Sequence, residues 1–303
     1  MTPKDKFAIQ QLLEIDNVNY LIDKINTINQ SFIHLIESLY INTPKLKDGE
    51  VFIETLSMRI ALTSKSIISL SNGFFLNTHE KVGINKVVDF PSINILARSI
   101  IESFLTLEYL FYNELEDKER EFRFLIWRIS GYKARQNFFS NRELKAEKNI
   151  VKEKLDDERR EIQDLLKKIE EFEYYKVMKS SDLWKLDKFG VPRLKSWNDL
   201  LENSVLKDDI FITPYKLYSN YAHSEFISLI QINGKDNLTK GSELNTLHLK
   251  NVLRIILMLN CVGIIELKQK FANSNSAYDD LPEKEREIIE FWNFFARENK
   301  HYS

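Results

Sequence analysis

The chain has 303 residues, enough for one large domain or two modest ones. Hydrophobic residues make up 43% and charged residues 29%, with only 8 glycines and 6 prolines, too few turn residues for a fold of many short strands. The 43 Lys and Arg against 45 Asp and Glu leave a net charge of −2, which excludes a global field of the kind that draws nucleic acid or a membrane surface. One cysteine, Cys261, excludes an intramolecular disulfide framework and a cysteine-rich zinc site. It sits between apolar neighbours and reads as core. The N-terminus, Met1-Thr2-Pro3-Lys4-Asp5-Lys6, has no apolar signal core, and the expectation is a cytoplasmic protein.

In chain order, residues 4–40 carry apolar residues at threes and fours, from Phe7 to Leu39, and predict one or two helices. Asn42-Thr43-Pro44 is the expected stop. A second helix is expected over 49–71, closed by Ser71-Asn72-Gly73. Residues 78–89 form a connector. Asp89-Phe90-Pro91 then opens a helix over 92–113. Leu96, Ile100, Phe104, Leu107 and Phe111 make one apolar stripe, and Ile95, Leu105, Tyr109 and Tyr112 a second. A helix that is apolar on two sides is a buried one. Arg98 and Glu102 nevertheless stand four apart on it. Their order, base before acid, is the weaker one for helix propagation. The pair therefore reads either as a structural tie between helices or as an anion-holding arginine with a basic carboxylate.

Residues 116–176 form a long helical region. No acid falls between Glu121 and Glu143, while Arg128, Arg135 and Arg142 recur every seven residues with aromatics interleaved. Such a face can track an RNA backbone and stack bases, or its arginines can pair with acids elsewhere in the fold. Leu144, Val151, Leu155, Ile162, Leu165, Ile169 and Phe172 trace a heptad-like seam through charge-dense sequence. A projecting charged arm over 141–176, or an antiparallel hairpin, fits it. The arm is the expected contact for a homodimer or another protein partner.

Farther on, Ser196 caps a short helix, and Thr213-Pro214 opens one expected to run unbroken to Ile232, closed by Asn233-Gly234. That helix carries Ser219 and His223 one turn apart, flanked by Tyr218 and Tyr221. Histidine titrates near neutral pH, so this stripe is a candidate acid–base site or a satisfied core histidine. Ser242 starts the most apolar helix. Its run from Val252 to Ile265 is shorter than the ~20 residues that span a bilayer, and no membrane role is expected. Leu281-Pro282-Glu283 opens a last amphipathic helix.

The five histidines show no metal spacing, and no glycine-rich phosphate loop or nucleophile elbow occurs, so neither metal nor cofactor is expected. The expected architecture is all-α: a single domain over 1–303, an irregular bundle of about six to nine helices with the charged arm. Buried charges need partners. Arg98, Glu102 and His223 are therefore expected to lie close together, with Tyr218 or Tyr221 at the border.

The R-x-x-x-E of Arg98 and Glu102, followed downstream by Y-S-N-Y-A-H-S at Tyr218 to Ser224, resembles a bacterial family, domain of unknown function 5677, over residues 90–232. The resemblance implies an all-helical fold and a defence or stress context, not a reaction. It points to a helical interaction or regulatory module. A rival reading is a ribonuclease of the HEPN type, independent of metal, whose motif sets Arg four to six residues before His on one helix. This chain departs from that motif: Lys216 stands ahead of His223, and only three residues separate Arg297 from His301. An arginine from another helix would have to reach His223.

Overall fold

The computed structural model describes residues 3–39, 49–76, 86–140, 148–234 and 236–297. The fold is all-α. Among the described residues it has 14 α-helices, more than expected, because several predicted segments divide at turns. The expected stop at Asn42-Thr43-Pro44 and most of the 78–89 connector lie outside the described residues. The chain divides into two compact units, Met1–Tyr112 with Trp197–Ser303, and Asn113–Ser196.

In the first unit the N-terminal segment is two helices, α1 (Pro3–Glu14) and α2 (Val18–Ser38). The Asn17 side chain caps α2 by accepting from the Asn19 and Tyr20 amides. Next come α3 (Val51–Ser71), strands β1 (Phe74–Phe75) and β2 (Lys86–Val87), paired antiparallel, and α4 (Phe90–Leu107). Gly73 turns the chain from α3 into β1 with φ +69°, and a Cβ there would sit 2.7 Å from the Val87 carbonyl oxygen. A π-helical turn, Glu108–Tyr112, continues α4.

The second unit holds α5 (Asp117–Ser140), α6 (Lys148–Glu170), α7 (Glu173–Lys176) and α8 (Ser180–Lys188). The heptad-like seam packs within the chain. Leu165 and Ile169 of α6, with Leu186 of α8, bury Phe122, Leu125, Ile126 and Ile129 of α5. Arg135 donates to Glu158 at 3.0 Å, Lys168 reaches Glu121 at 2.6 Å, and Arg128 pairs with Glu161. These cross-links run in opposite sequence directions, so α5 and α6 form the antiparallel hairpin. The seam, expected to pack on a helix of the same chain or of a second copy, packs on α5.

The first unit resumes with α9 (Trp197–Glu202), α10 (Asp208–Ala222), α11 (Phe226–Asn233), α12 (Glu243–Lys270), α13 (Ala272–Asp279) and α14 (Glu283–Ala296). Pro214 lies inside α10 rather than at its start. Ser242 caps α12 by accepting from the Asn245 amide. By length and composition α12 passes as a membrane span, yet 83% of that window is buried inside the protein, against α2, α4, α13 and α14. Gly263 lets α2 approach: a Cβ there would lie 2.9 Å from Cζ of Phe32. A buried amide chain crosses this core. Asn260 donates to Asn29 at 3.3 Å, and Asn29 donates to the Ala61 carbonyl at 3.2 Å.

Candidate active site at the α4–α10 corner

The local sequence of α4 sets one half of the site. Asp89 accepts from the Ser92 amide at 3.1 Å, and Pro91 occupies the first turn. The helix buries Ile93, Ala97, Ile100, Ile101, Phe104 and Leu105. Arg98 and Glu102 occupy a flank that is neither core nor open surface, with side chains 17% and 26% exposed.

The other half comes from the end of α10. Tyr215, Ser219 and His223 follow at intervals of four, one above the other. The helix stops at His223, whose amide donates to the Ser219 carbonyl at 3.1 Å. Ser224 adopts φ 53°, in the left-handed region, and the Glu225 amide closes back on the Asn220 carbonyl at 2.9 Å. The helix expected to run to Ile232 is therefore two, with the imidazole at the corner between them. His223 is exposed there.

Arg98 joins the halves. Its Nε donates to Glu102 Oε1 at 2.9 Å, and its Nη1 lies 3.1 Å from His223 Nε2. The Tyr215 hydroxyl donates to the same Glu102 oxygen at 3.0 Å, and the guanidinium carbon stands 5.5 Å from the Tyr215 ring centre. A guanidinium has donors only, so Nε2 is the acceptor. His223 thus faces Arg98, and Glu102 holds the arginine. Burial works against the Arg98 charge, but the Glu102 carboxylate more than offsets it and the guanidinium pKa is raised. Burial, then the Glu102 charge, pushes the Tyr215 phenol up to about 12, so it stays a donor at neutral pH.

The remaining candidates fall elsewhere. The Ser219 hydroxyl donates to the Tyr215 carbonyl at 2.8 Å, a bond within its own helix. Tyr218 is fully buried, and its hydroxyl has no hydrogen-bond partner among the described residues. Tyr221 belongs to a second cluster. Its hydroxyl lies 3.2 Å from His248 Nε2 and donates to Gln231, while Asn94 Nδ2 lies 3.1 Å from His248 Nδ1 and Phe90 stacks on the ring at 4.5 Å. Burial pushes the His248 pKa down to about 4, so this imidazole is a neutral core group. Arg128 and Arg135 are paired to the acids of α6, so the basic face is neutralised within the hairpin. Arg142 lies outside the described residues, as does Leu144 of the seam. No three His, Cys, Asp or Glu converge as a metal set among the described residues.

Tyr215 is the member that sequence reasoning missed. Its spacing of eight from His223 was the available signal. His248 and Asn94, 154 residues apart, offered none.

A family model described as a family of unknown function, DUF5677, matches residues 52–240. No curated protein and no solved structure matches the chain. The matched stretch covers more than half of the chain and contains both helices of the corner, with Arg98, Glu102, Tyr215 and His223; the chain belongs to the DUF5677 family, whose function is unknown.

Proposed function

We propose that the α4–α10 corner cleaves RNA without a metal ion, by general acid–base catalysis at His223 with Arg98 on the phosphate. The observation that carries this reading is the 3.1 Å approach of Arg98 Nη1 to an exposed His223 Nε2. It sets a fixed cation beside an imidazole lone pair. The scissile phosphate takes the Arg98 donor in place of His223. Nε2, released, accepts the proton of the neighbouring ribose 2′-hydroxyl. The 2′-oxygen bonds to phosphorus as the bond to the 5′-oxygen breaks, and the imidazolium returns the proton to that leaving oxygen. The products are a 2′,3′-cyclic phosphate and a 5′-hydroxyl. Arg98 stabilises the added charge on the phosphoryl oxygens, and Glu102 with Tyr215 keeps its fork in place.

The test is incubation of the purified chain with single-stranded RNA in EDTA. Cleavage to cyclic-phosphate ends is expected, with His223→Ala and Arg98→Ala each slower by ~100-fold or more. Intact RNA, or a His223→Ala protein as active as the wild type, removes the reading.

The second reading is a helical interaction or regulatory module. Its bacterial defence or stress setting comes from the family resemblance alone. The interaction part has an observation in its favour, the apolar outer face of α11.

A further inference from the structure

Helix α11 is built inside out. Ser228 points inward and is buried, while Phe226, Ile227, Leu229 and Ile230 are 77%, 47%, 49% and 50% exposed. At 100° per residue those four side chains fill an arc of about 160°, opposite Ser228. A surface helix of a globular protein normally has the reverse arrangement. The outward side chains present roughly 400 Å² of apolar surface, within the range where a contiguous patch marks an interaction site.

We propose that this face is the contact between two copies of the chain, packed helix to helix across a two-fold axis. Three features choose that occupant. First, F-I-S-L-I-Q-I-N has no charged residue. An interfacial membrane helix carries Lys and Arg on its polar side, and a nucleic-acid surface carries cations, so neither partner is recognised here. Second, an uncharged face has no charge pattern with which to select a foreign protein, whereas a copy of itself matches it without repulsion, and two-fold self-pairing is the commonest assembly. Third, the area fits. A standard interface takes about 800 Å² from each partner, somewhat over half of it apolar, and the four side chains of α11 supply most of that apolar part.

The face lies next to the α4–α10 corner. Phe226 is three residues past His223, a Cα separation of no more than about 11 Å. A copy docked on α11 would therefore border His223. The pairing does not depend on RNA cleavage, and its test does not use it.

The experiment is light scattering after size exclusion on the full chain at tens of micromolar. The expected mass is twice the 35.9 kDa chain. Ile230→Asp and, separately, Phe226→Ser are expected to elute at the single-chain mass with the wild-type circular dichroism spectrum, since both side chains face outward. A wild-type monomer overturns the proposal. So does a wild-type dimer that both folded variants retain. If Ile230→Asp fails to fold, the milder Phe226→Ser decides in the same way.

Discussion

Arg98 shows how little of a side chain's role is visible from its own helix. Four residues from Glu102 on a helix that is apolar on two sides, it reads as half of an ion pair within or near the core. In the fold the same guanidinium also reaches His223 and lies against the Tyr215 ring. Glu102 in turn accepts from both Arg98 and Tyr215. Removing the Tyr215 hydroxyl leaves Glu102 with one donor fewer and Arg98 freer to swing. Tyr215→Phe is therefore expected to slow RNA cleavage several-fold while lowering stability by about 1 kcal/mol. Ser219→Ala is expected to change neither, because that hydroxyl bonds its own helix. A single-turnover assay of the two variants, with urea melts, checks both. A Ser219→Ala protein slower than Tyr215→Phe would return the hydroxyl to the site. Arg98, Glu102 and His223 were legible as candidates because charged or titratable groups on apolar helices need partners. Which of them touch was not legible: the contact spans 125 residues, and no local spacing encodes it.

Elements defined by local chemistry were the readable ones. The Asp89 and Ser242 caps, the start of α14 after Leu281-Pro282 and the apolar run of α12 all follow from short-range rules. The break after α10 did not, because Ser224 takes a left-handed turn usually left to Gly or Asn. Strands of two residues, such as β1 and β2, are too short for alternation to register. The partners of Arg128 and Arg135 were not legible either. Their helix holds no acid beyond Glu121, but α6 supplies the counter-charges, and only the hairpin shows it. For α12 the sequence expectation and the packing coincide. Leu257 is fully buried, so Leu257→Asp would place a charge in the core with no partner. The expected loss is about 3 kcal/mol or more. An urea midpoint unchanged from wild type would show that this face of α12 is not core.

At the scale of the molecule, two buried titratable groups oppose one another as pH changes. His248 is neutral in the fold, with its pKa pushed by burial from 6.5 down to about 4. Between those values the unfolded chain binds a proton that the folded one does not, so His248 makes stability rise with pH through that window. Glu108 has the opposite sign. It lies in the π-helical turn after α4, buried, and accepts from the Val205 amide at 2.7 Å. Burial raises its pKa from 4.5 to about 7; the bonds from Ser204 and Val205 pull it back, Glu266 adds to the rise and Arg297 reduces it. The folded chain then keeps a proton that the unfolded chain releases above 4.5, and stability falls as pH climbs from 4.5 towards 7. Over the shared window, pH 4.5 to 6.5, each contributes a slope of about 1.4 kcal/mol per pH unit, of opposite sign, and the two nearly cancel. Glu108→Gln removes one of them. Compared with the wild type, the variant is expected to gain about 2–3 kcal/mol more in going from pH 4.5 to 6.5, the slope multiplied by the window. The measurement is a pair of urea titrations at each pH, read as the difference between variant and wild type so that the surface carboxylates cancel. A difference that stays constant with pH would show that Glu108 is ionised in the fold, held so by Arg297 and the Val205 amide.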